Sequence, residues 1–559
     1  MLPIAKLGPS ERADALDRLD SEDFDVLVIG GGVTGAGSAL DAASRGLRTA
    51  LIEREDFAAG TSSASTKLIH GGLRYLEKLD FGLVQEALTE RARMLEELCP
   101  HLVHPVPFLY PLTGRAWERA YVGAGVLLYD TIGTGKRGVP VHKHLSRTGA
   151  LRLAPDLRED ALVGAIRYYD AQVDDARHTA MLARTAAHHG ALVTTHVEAT
   201  DLTKQGGCVT GAVATDTESG REVRITARRI VNATGPWTDE VQNMAGQAQV
   251  KVRPSKGVHF LVPRERLDLG VGLIMRTEKS VLFVVPWGNR WIIGTTDTDW
   301  DESVDDVVAT QADLDYLLDR LNPMLRHPLT KADITGVYAG LRPLLAATEG
   351  STAELSREHS VLESTPGLIS IGGGKYTTYR VMAEDAVDRA VEGLDREVPP
   401  SPTRHLPLLG AIGYEAAVAD RERIARQAGV HVAWIDHLLA RYGDLYEEVL
   451  ALGEERPHLM QPLEGAPSYL GVEVAYAASH EGARDLFDAL ERRTRVRIEV
   501  ADRGLAAAEP AAAILADVLD WDDETRKDAI DAYRKAVEAD RAAEQASTDQ
   551  EAVAARHPG

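Results

Sequence analysis

Three glycines, Gly30-x-Gly32-x-x-Gly35, stand between a short apolar run, Asp25-Val-Leu-Val-Ile29, and small and apolar residues at helical spacing from Val33 to Arg45. Such a turn is suited to a pyrophosphate. The first glycine permits the tight turn, the second lets the backbone approach the phosphates, and the third lets helix and strand pack closely. The phosphates then face the free N–H groups and the positive end of the helix. Glu53, 18 residues after Gly35, closes the next strand, where a carboxylate can accept both hydroxyls of a ribose.

Two histidines and three cations form a second set. Neutral imidazole is a suitable base near neutral pH. His70 and His259 are the candidates. His70 lies four residues before Arg74, so one segment can present both a base and an anion anchor. His259 sits in Lys256-Gly-Val-His-Phe260. Neighbouring cations lower the pKa of either imidazole and favour the neutral form. Arg74, Arg342 and Lys375 are cations that can grip an anion, arginine through its planar fork. Arg342 is also a candidate to share the work of the base, and Tyr75 can add a hydroxyl contact.

The elements that must position these residues begin with a strand–turn–helix–strand unit, Asp25 to Glu53, the start of a parallel sheet. Residues near Ala191–Val197 and Ile230–Ala233 read as strands, and Phe283–Pro286 and Trp291–Gly294 as a pair around a turn. Only one complete GxGxxG unit is present. Arg229-Ile-Val-Asn-Ala-Thr-Gly235 has the strand end of two-domain flavoproteins, and Ile371-Gly-Gly-Gly374 precedes a helix carrying Val381, Met382, Ala386, Val387 and Ala390 on one side. A helix start there can stabilise negative charge on the N1–C2=O side of a reduced flavin. Together these features indicate non-covalent FAD without a separate nicotinamide site.

Composition limits the alternatives. The chain has 559 residues, 44% hydrophobic, with 62 Lys+Arg against 85 Asp+Glu and a net charge of −23. That field opposes nucleic-acid binding and requires a local cationic cluster for any anionic substrate. The two cysteines, Cys99 and Cys208, form no metal-ligand set or disulfide framework, and no metal site is expected. The expected divisions are a polar lead-in helix over 1–23 and a body over 24–403. That body interleaves a FAD-binding part with a substrate part at roughly 80–165 and 250–340. A Pro-rich break at Glu397–Pro402 leads to a helical domain over 404–540 and a disordered tail over 541–559. The N-terminus is too polar for a secretory signal, and the apolar stretch Tyr121–Tyr129 is too short to span a membrane. The segment Trp117–Tyr129, followed by Lys136-Arg137 and His142-Lys-His144, reads either as a core helix or as a lipid-interface helix.

The block Gly60-Thr-Ser-Ser-Ala-Ser-Thr-Lys-Leu-Ile-His-Gly-Gly-Leu-Arg-Tyr75 closely resembles the signature of FAD-dependent glycerol-3-phosphate dehydrogenases. Gln172-Val-Asp-Asp-Ala-Arg177, Asn232-Ala-Thr-Gly-Pro-Trp237, Ile293-Gly-Thr-Thr-Asp297, Gly340-Leu-Arg-Pro343 and Gly373-Gly-Lys-Tyr-Thr-Thr-Tyr-Arg380 resemble further blocks of that family in the same order. Glu491-Arg-Arg-Thr-Arg495 resembles a motif of its C-terminal helical domain.

The resemblance implies an α/β fold with a Rossmann-like FAD-binding domain of the D-amino-acid-oxidase type, within the glutathione-reductase-like, two-dinucleotide-binding class. That domain is interleaved with an α+β substrate domain and followed by a helical domain. The implied reaction oxidises sn-glycerol 3-phosphate to dihydroxyacetone phosphate, with FAD reduced and electrons passed to membrane quinone by a peripheral protein of the cytoplasmic face. The helical domain could serve a homodimer. The implied flavin contacts are Thr61, Ser62, Ser63, Ser65 and Lys67 in the signature, Val197, Ala233, Gly235 and Trp237, and Gly373, Gly374, Lys375, Thr377 and Thr378. Thr377 and Thr378 open the last helix of that body, where a hydroxyl can instead cap it. A related branch of oxidases uses oxygen and carries an insertion in the substrate domain. Here Thr295–Leu325 runs directly into a helical segment, Gln311–Arg320, which favours the dehydrogenase.

Overall fold

The computed structural model describes residues 4–72, 81–114, 117–132, 139–246, 249, 251–277, 281–345 and 358–557. The opening strand, Asp23–Ile29, is buried at every position after its first, as an apolar run between parallel neighbours must be. It pairs in parallel with Thr49–Ile52 and with Glu222–Asn232. Leu192–Thr194 and Leu368–Gly373 extend this parallel core on either side. Antiparallel strands His359–Thr365, Cys208–Asp216 and Val197–Gln205 complete an eight-stranded sheet. Helices Val33–Ser44, Asp175–His188 and Tyr379–Val391 share one apolar core against it. The lead-in helix, Pro9–Ser21, buries Ala15, Leu16 and Leu19 with Phe24, Leu27 and Ile225.

A second, ten-stranded sheet is mostly antiparallel. Its strand Val252–Pro263 pairs along its length with Gly336–Leu345, which sets Arg342 opposite Ser255 and Tyr338 opposite His259. The other side of Val252–Pro263 pairs with Arg290–Gly294, itself half of a hairpin with Val281–Trp287. The signature segment reaches this sheet at Leu68–Ile69, which pair with Gln172 and Ala171. One stretch of chain therefore touches both sheets.

Beyond residue 404 the chain is mainly helical, with one small hairpin at 462–470. The expectation of a disordered tail over 541–559 is overturned. Asp523–Ala543 forms one helix, and Asp549–Arg556 forms another with a reciprocal capping box between Thr548 and Glu551. Ala543 and Ala552 are buried with Trp300, Val308 and Leu341, while Lys256 Nζ pairs with Asp313 at 2.7 Å and also with Asp549. The polar composition misleads because small alanines supply the packing face and a tail carboxylate completes a buried ion pair.

The helical part is joined to the first sheet through buried ion pairs. The carboxylate of Asp56 accepts from Arg492 Nε and from both terminal nitrogens of Arg493, each at 2.7 Å. Arg184 meets Glu448 at 2.8 Å, and Arg177 Nη1 donates to Glu481 at 2.6 Å. Removing one member of such a group leaves a buried charge without its partner. Asp56→Ala should therefore cost about 3–5 kcal/mol of stability, measured as a shifted denaturation midpoint. Asp160→Ala, which removes an exposed pair with Arg158, should leave the midpoint in place.

Candidate active site

The turn after the first strand is fixed by contact distances. Gly30 has φ +110°, and a Cβ there would lie 2.7 Å from Ala233 O. A Cβ on Gly35 would lie 1.9 Å from Gly30 O. The helix can meet the strand this closely only without side chains at both positions. Its N-terminus, capped in extended conformation at Gly32, faces a cleft of about 340 Å³. Ser62 Oγ accepts the N–H of Val33 at 2.9 Å, holding the signature segment against the helix start.

One end of the cleft is lined by Glu53, Val197 and Trp237. Glu53 accepts from the N–H of Gly31 at 2.5 Å and of Glu55 at 2.9 Å, which leaves a lone pair on each oxygen for a further donor. Burial pushes its pKa above the usual carboxylate range, opposed by those two N–H groups. Val197 N donates to Glu53 O at 2.8 Å. The Arg54 guanidinium lies 4.5 Å from the Trp237 ring centroid, and Trp237 Nε1 donates to Asp305 at 2.8 Å, so the loop carrying Asp305 borders this end.

The other end brings together His70, His259, Arg342, Lys375 and Thr377. Arg342 is held by the Ile293–Asp297 block: Nη2 donates to Thr295 Oγ1 at 2.9 Å and Thr296 O at 3.0 Å, and Nη1 lies 3.3 Å from Asp297. His259 is 2% exposed, stacks on Tyr338 at 4.8 Å between centroids, and places Nε2 2.9 Å from Thr66 Oγ1. Burial, with Arg342 and Lys67 nearby, holds its pKa well below the usual value, so the ring is neutral. Thr377 Oγ1 lies 3.2 Å from both the backbone nitrogen and oxygen of His70. Gly373, Gly374, Ala233, Gly235, Thr61, Ser62 and Ser65 also line the cleft.

Several sequence assignments land elsewhere. Lys67 does not line the cleft. It is fully buried, with Nζ 2.8 Å from Asp175 Oδ1 and from Ser63 O, because its segment turns inward toward Asp175. Ser63 serves that lysine through its carbonyl. Thr378 lies behind the cleft and donates to Lys375 O at 3.3 Å, and no side chain caps the helix Tyr379–Val391. Arg74 and Tyr75 lie outside the described residues. Sequence reasoning missed Thr66, Tyr338 and Asp297 as neighbours of the candidate groups, although Thr66 and Asp297 stand inside quoted motifs. Arg54 and Asp305, 251 residues apart, carry no signal in the sequence.

The residues present fit a flavin dinucleotide. A helix N-terminus with adjacent hydroxyls suits the pyrophosphate, and Glu53 with its remaining lone pairs suits a ribose.

The profile described as FAD dependent oxidoreductase matches residues 25–380, and that described as the C-terminal domain of alpha-glycerophosphate oxidase matches residues 401–526. The glycerol-3-phosphate dehydrogenase of Mycobacterium leprae is 53% identical over 539 residues, covering 96% of this chain and 92% of that protein. The human mitochondrial glycerol-3-phosphate dehydrogenase is 36% identical, covering 95% of this chain and 76% of that one. The structure of the glycerol-3-phosphate dehydrogenase from Bacillus halodurans complexed with FAD matches with a TM-score of 0.79 and 29% identity, over 95% of this chain and 98% of that one. With a GxGxxG turn, a cleft shaped for FAD and relatives matched along nearly its whole length, the chain belongs to the family of FAD-dependent glycerol-3-phosphate dehydrogenases.

Proposed function

We propose that the protein oxidises the C2 hydroxyl of sn-glycerol 3-phosphate to the ketone of dihydroxyacetone phosphate, with a membrane quinone as the final acceptor. The observation that carries this reading is Arg342. In a chain of net charge −23, its guanidinium is fixed at the cleft by Thr295, Thr296 and Asp297, beside a neutral His259. The guanidinium's terminal nitrogens are taken up by these protein acceptors, so what it offers a phosphate is a fixed positive charge beside the cleft. Lys375 lines the same end, and Arg74 and Tyr75 are proposed to join it from the neighbouring segment. His70 and His259 are the candidate acceptors of the hydroxyl proton, and the buried neutral state of His259 suits that task. Bound FAD supplies the two-electron acceptor for the hydride that leaves C2.

The connection from Thr295 to the helix Gln311–Leu321 contains one two-residue strand and no further domain, which supports the quinone-linked reading. A second reading, an oxidase that makes hydrogen peroxide, is favoured by the description of the C-terminal profile. We place the domain limits with the same reading: a lead-in to residue 23, a FAD- and substrate-binding body to 403, and a helical domain from 404.

Among the described residues, no helix is long and apolar enough to cross a membrane. The helix Trp117–Ile132 buries Val126 and Tyr129 but leaves Tyr121 49% and Leu127 55% exposed, with Lys143 exposed on the following strand. An apolar face followed by an exposed lysine supports peripheral contact with an anionic bilayer.

Anaerobic addition of sn-glycerol 3-phosphate should bleach the flavin absorbance, and a quinone analogue should restore it while air restores little. Rapid return in air with peroxide would establish the oxidase, and no bleaching would remove the substrate assignment. Arg342→Lys keeps the charge but loses the contacts to Thr295 and Thr296 that fix its place, and should raise KM about tenfold with FAD content unchanged; an unaltered KM removes Arg342 from the phosphate site. The protein should sediment with vesicles containing anionic lipid, and Leu127→Asp should reduce the bound fraction severalfold.

A further inference from the structure

Two sequence blocks, Gln172–Arg177 and Glu491–Arg495, meet each other at Asp174 and Asp175. Asp175 opens the helix Asp175–His188, is fully buried, and receives donors from two other parts of the chain. Its Oδ2 accepts from the backbone N–H of Ser65 at 3.0 Å and from Ser65 Oγ at 2.7 Å. Its Oδ1 accepts from Lys67 Nζ at 2.8 Å and from Arg495 Nη2. Arg495 Nε donates to Asp174 at 2.9 Å, so the guanidinium spans two successive carboxylates.

The residue between the two anchored positions is Thr66. Its hydroxyl lies 2.9 Å from His259 Nε2, while His259 Nδ1 is buried without a protein partner. A second tie runs through Tyr338, which stacks on His259 and donates its hydroxyl to Ser65 O at 3.0 Å. Lys67 Nζ stands 4.9 Å from the centroid of that same ring. Ser65, Thr66 and Lys67 thus have their positions dictated by Asp175, and Asp175 is in turn oriented by a guanidinium of the helical domain.

We propose that Arg495 and Asp175 are positioning residues that hold Thr66, and through it the His259 ring, at the flavin cleft, so that the helical domain takes part in setting the geometry of the reaction. The proposal rests on the reading of His259 given above. A buried pair such as Arg495–Asp175 fixes geometry more than it adds stability. Displacing a reacting group by a fraction of an ångström lowers the turnover rate without weakening ground-state binding.

The test is a double-mutant cycle between Arg495→Lys and Thr66→Val in the full-length holoenzyme. Each single variant is expected to lose about tenfold in kcat with KM for sn-glycerol 3-phosphate and FAD content unchanged. The double variant should lose no more than Thr66→Val alone. Losses that multiply to about 100-fold, or Arg495→Lys with a lowered melting temperature and an unchanged kcat, would overturn the proposal. Should Arg495→Lys fail to fold, Ser65→Ala breaks the tie at its other end and enters the same cycle with the same two outcomes. The cycle is also read in the visible absorption of the oxidised flavin, which is expected to shift in both single variants and no further in the double. That signal does not depend on which group takes the proton. An active His259→Asn variant would therefore refute the role of His259 alone, and additive spectral shifts would refute the positioning role.

Discussion

The closeness of the first strand to the helix Val33–Ser44, enforced where Gly35 meets Gly30 O, is the constraint on which the cleft depends. Without it the helix start would stand away from the sheet, and the N–H groups that face the cleft would point past the phosphates. The same closeness fixes Glu53. Its carboxylate reaches back to Gly31 because the turn is short, so the strand end and the turn form one rigid edge.

A second layer of control is electrostatic. The loop after Glu53 is held by Asp56 against Arg492 and Arg493, and the signature segment by Asp175 against Arg495. Three arginines within four residues of the helical domain thus reach two separated stretches of the cofactor wall. Replacement of such groups by apolar residues is often neutral for stability, so their contribution lies in fixing one arrangement. Nearness of Arg495 also helps bring Lys67 down to about 8, after the larger effect of burial, while Asp175 opposes the shift. The acidic surplus of the chain is spread over the surface, and the cleft itself keeps Arg342 and a neutral imidazole.

Local features of this fold were legible in the sequence because their causes are local. The apolar run before Gly30, the small residues after it and the hairpin around Trp287–Arg290 require only neighbours a few residues away. The glycine turn and the candidates His70, His259, Arg342 and Lys375 converge on one cleft, His259 and Arg342 being carried within two paired strands. Assignments drifted where the partner is distant. Lys67 reads as a cofactor contact in its serine-rich context, yet its partner Asp175 is 108 residues away. Thr378 reads as a helix cap, but a short turn at Tyr376–Thr378 puts its hydroxyl on Lys375 O. The tail reads as disordered because its packing face is alanine, whose contribution depends on Trp300 and Leu341 rather than on its own apolarity.

The pairing of Lys256 with Asp549 joins residues 293 apart in the chain. Lys256 belongs to the strand that also carries His259, and it is buried with one other carboxylate, Asp313. During synthesis that strand emerges long before its second counter-charge. At about 5–20 residues per second the interval is about 15–60 s, far longer than the time in which a strand pair forms. The sheet that carries His259 therefore gains its last counter-charge only when the final helix emerges, at the end of translation rather than in its course.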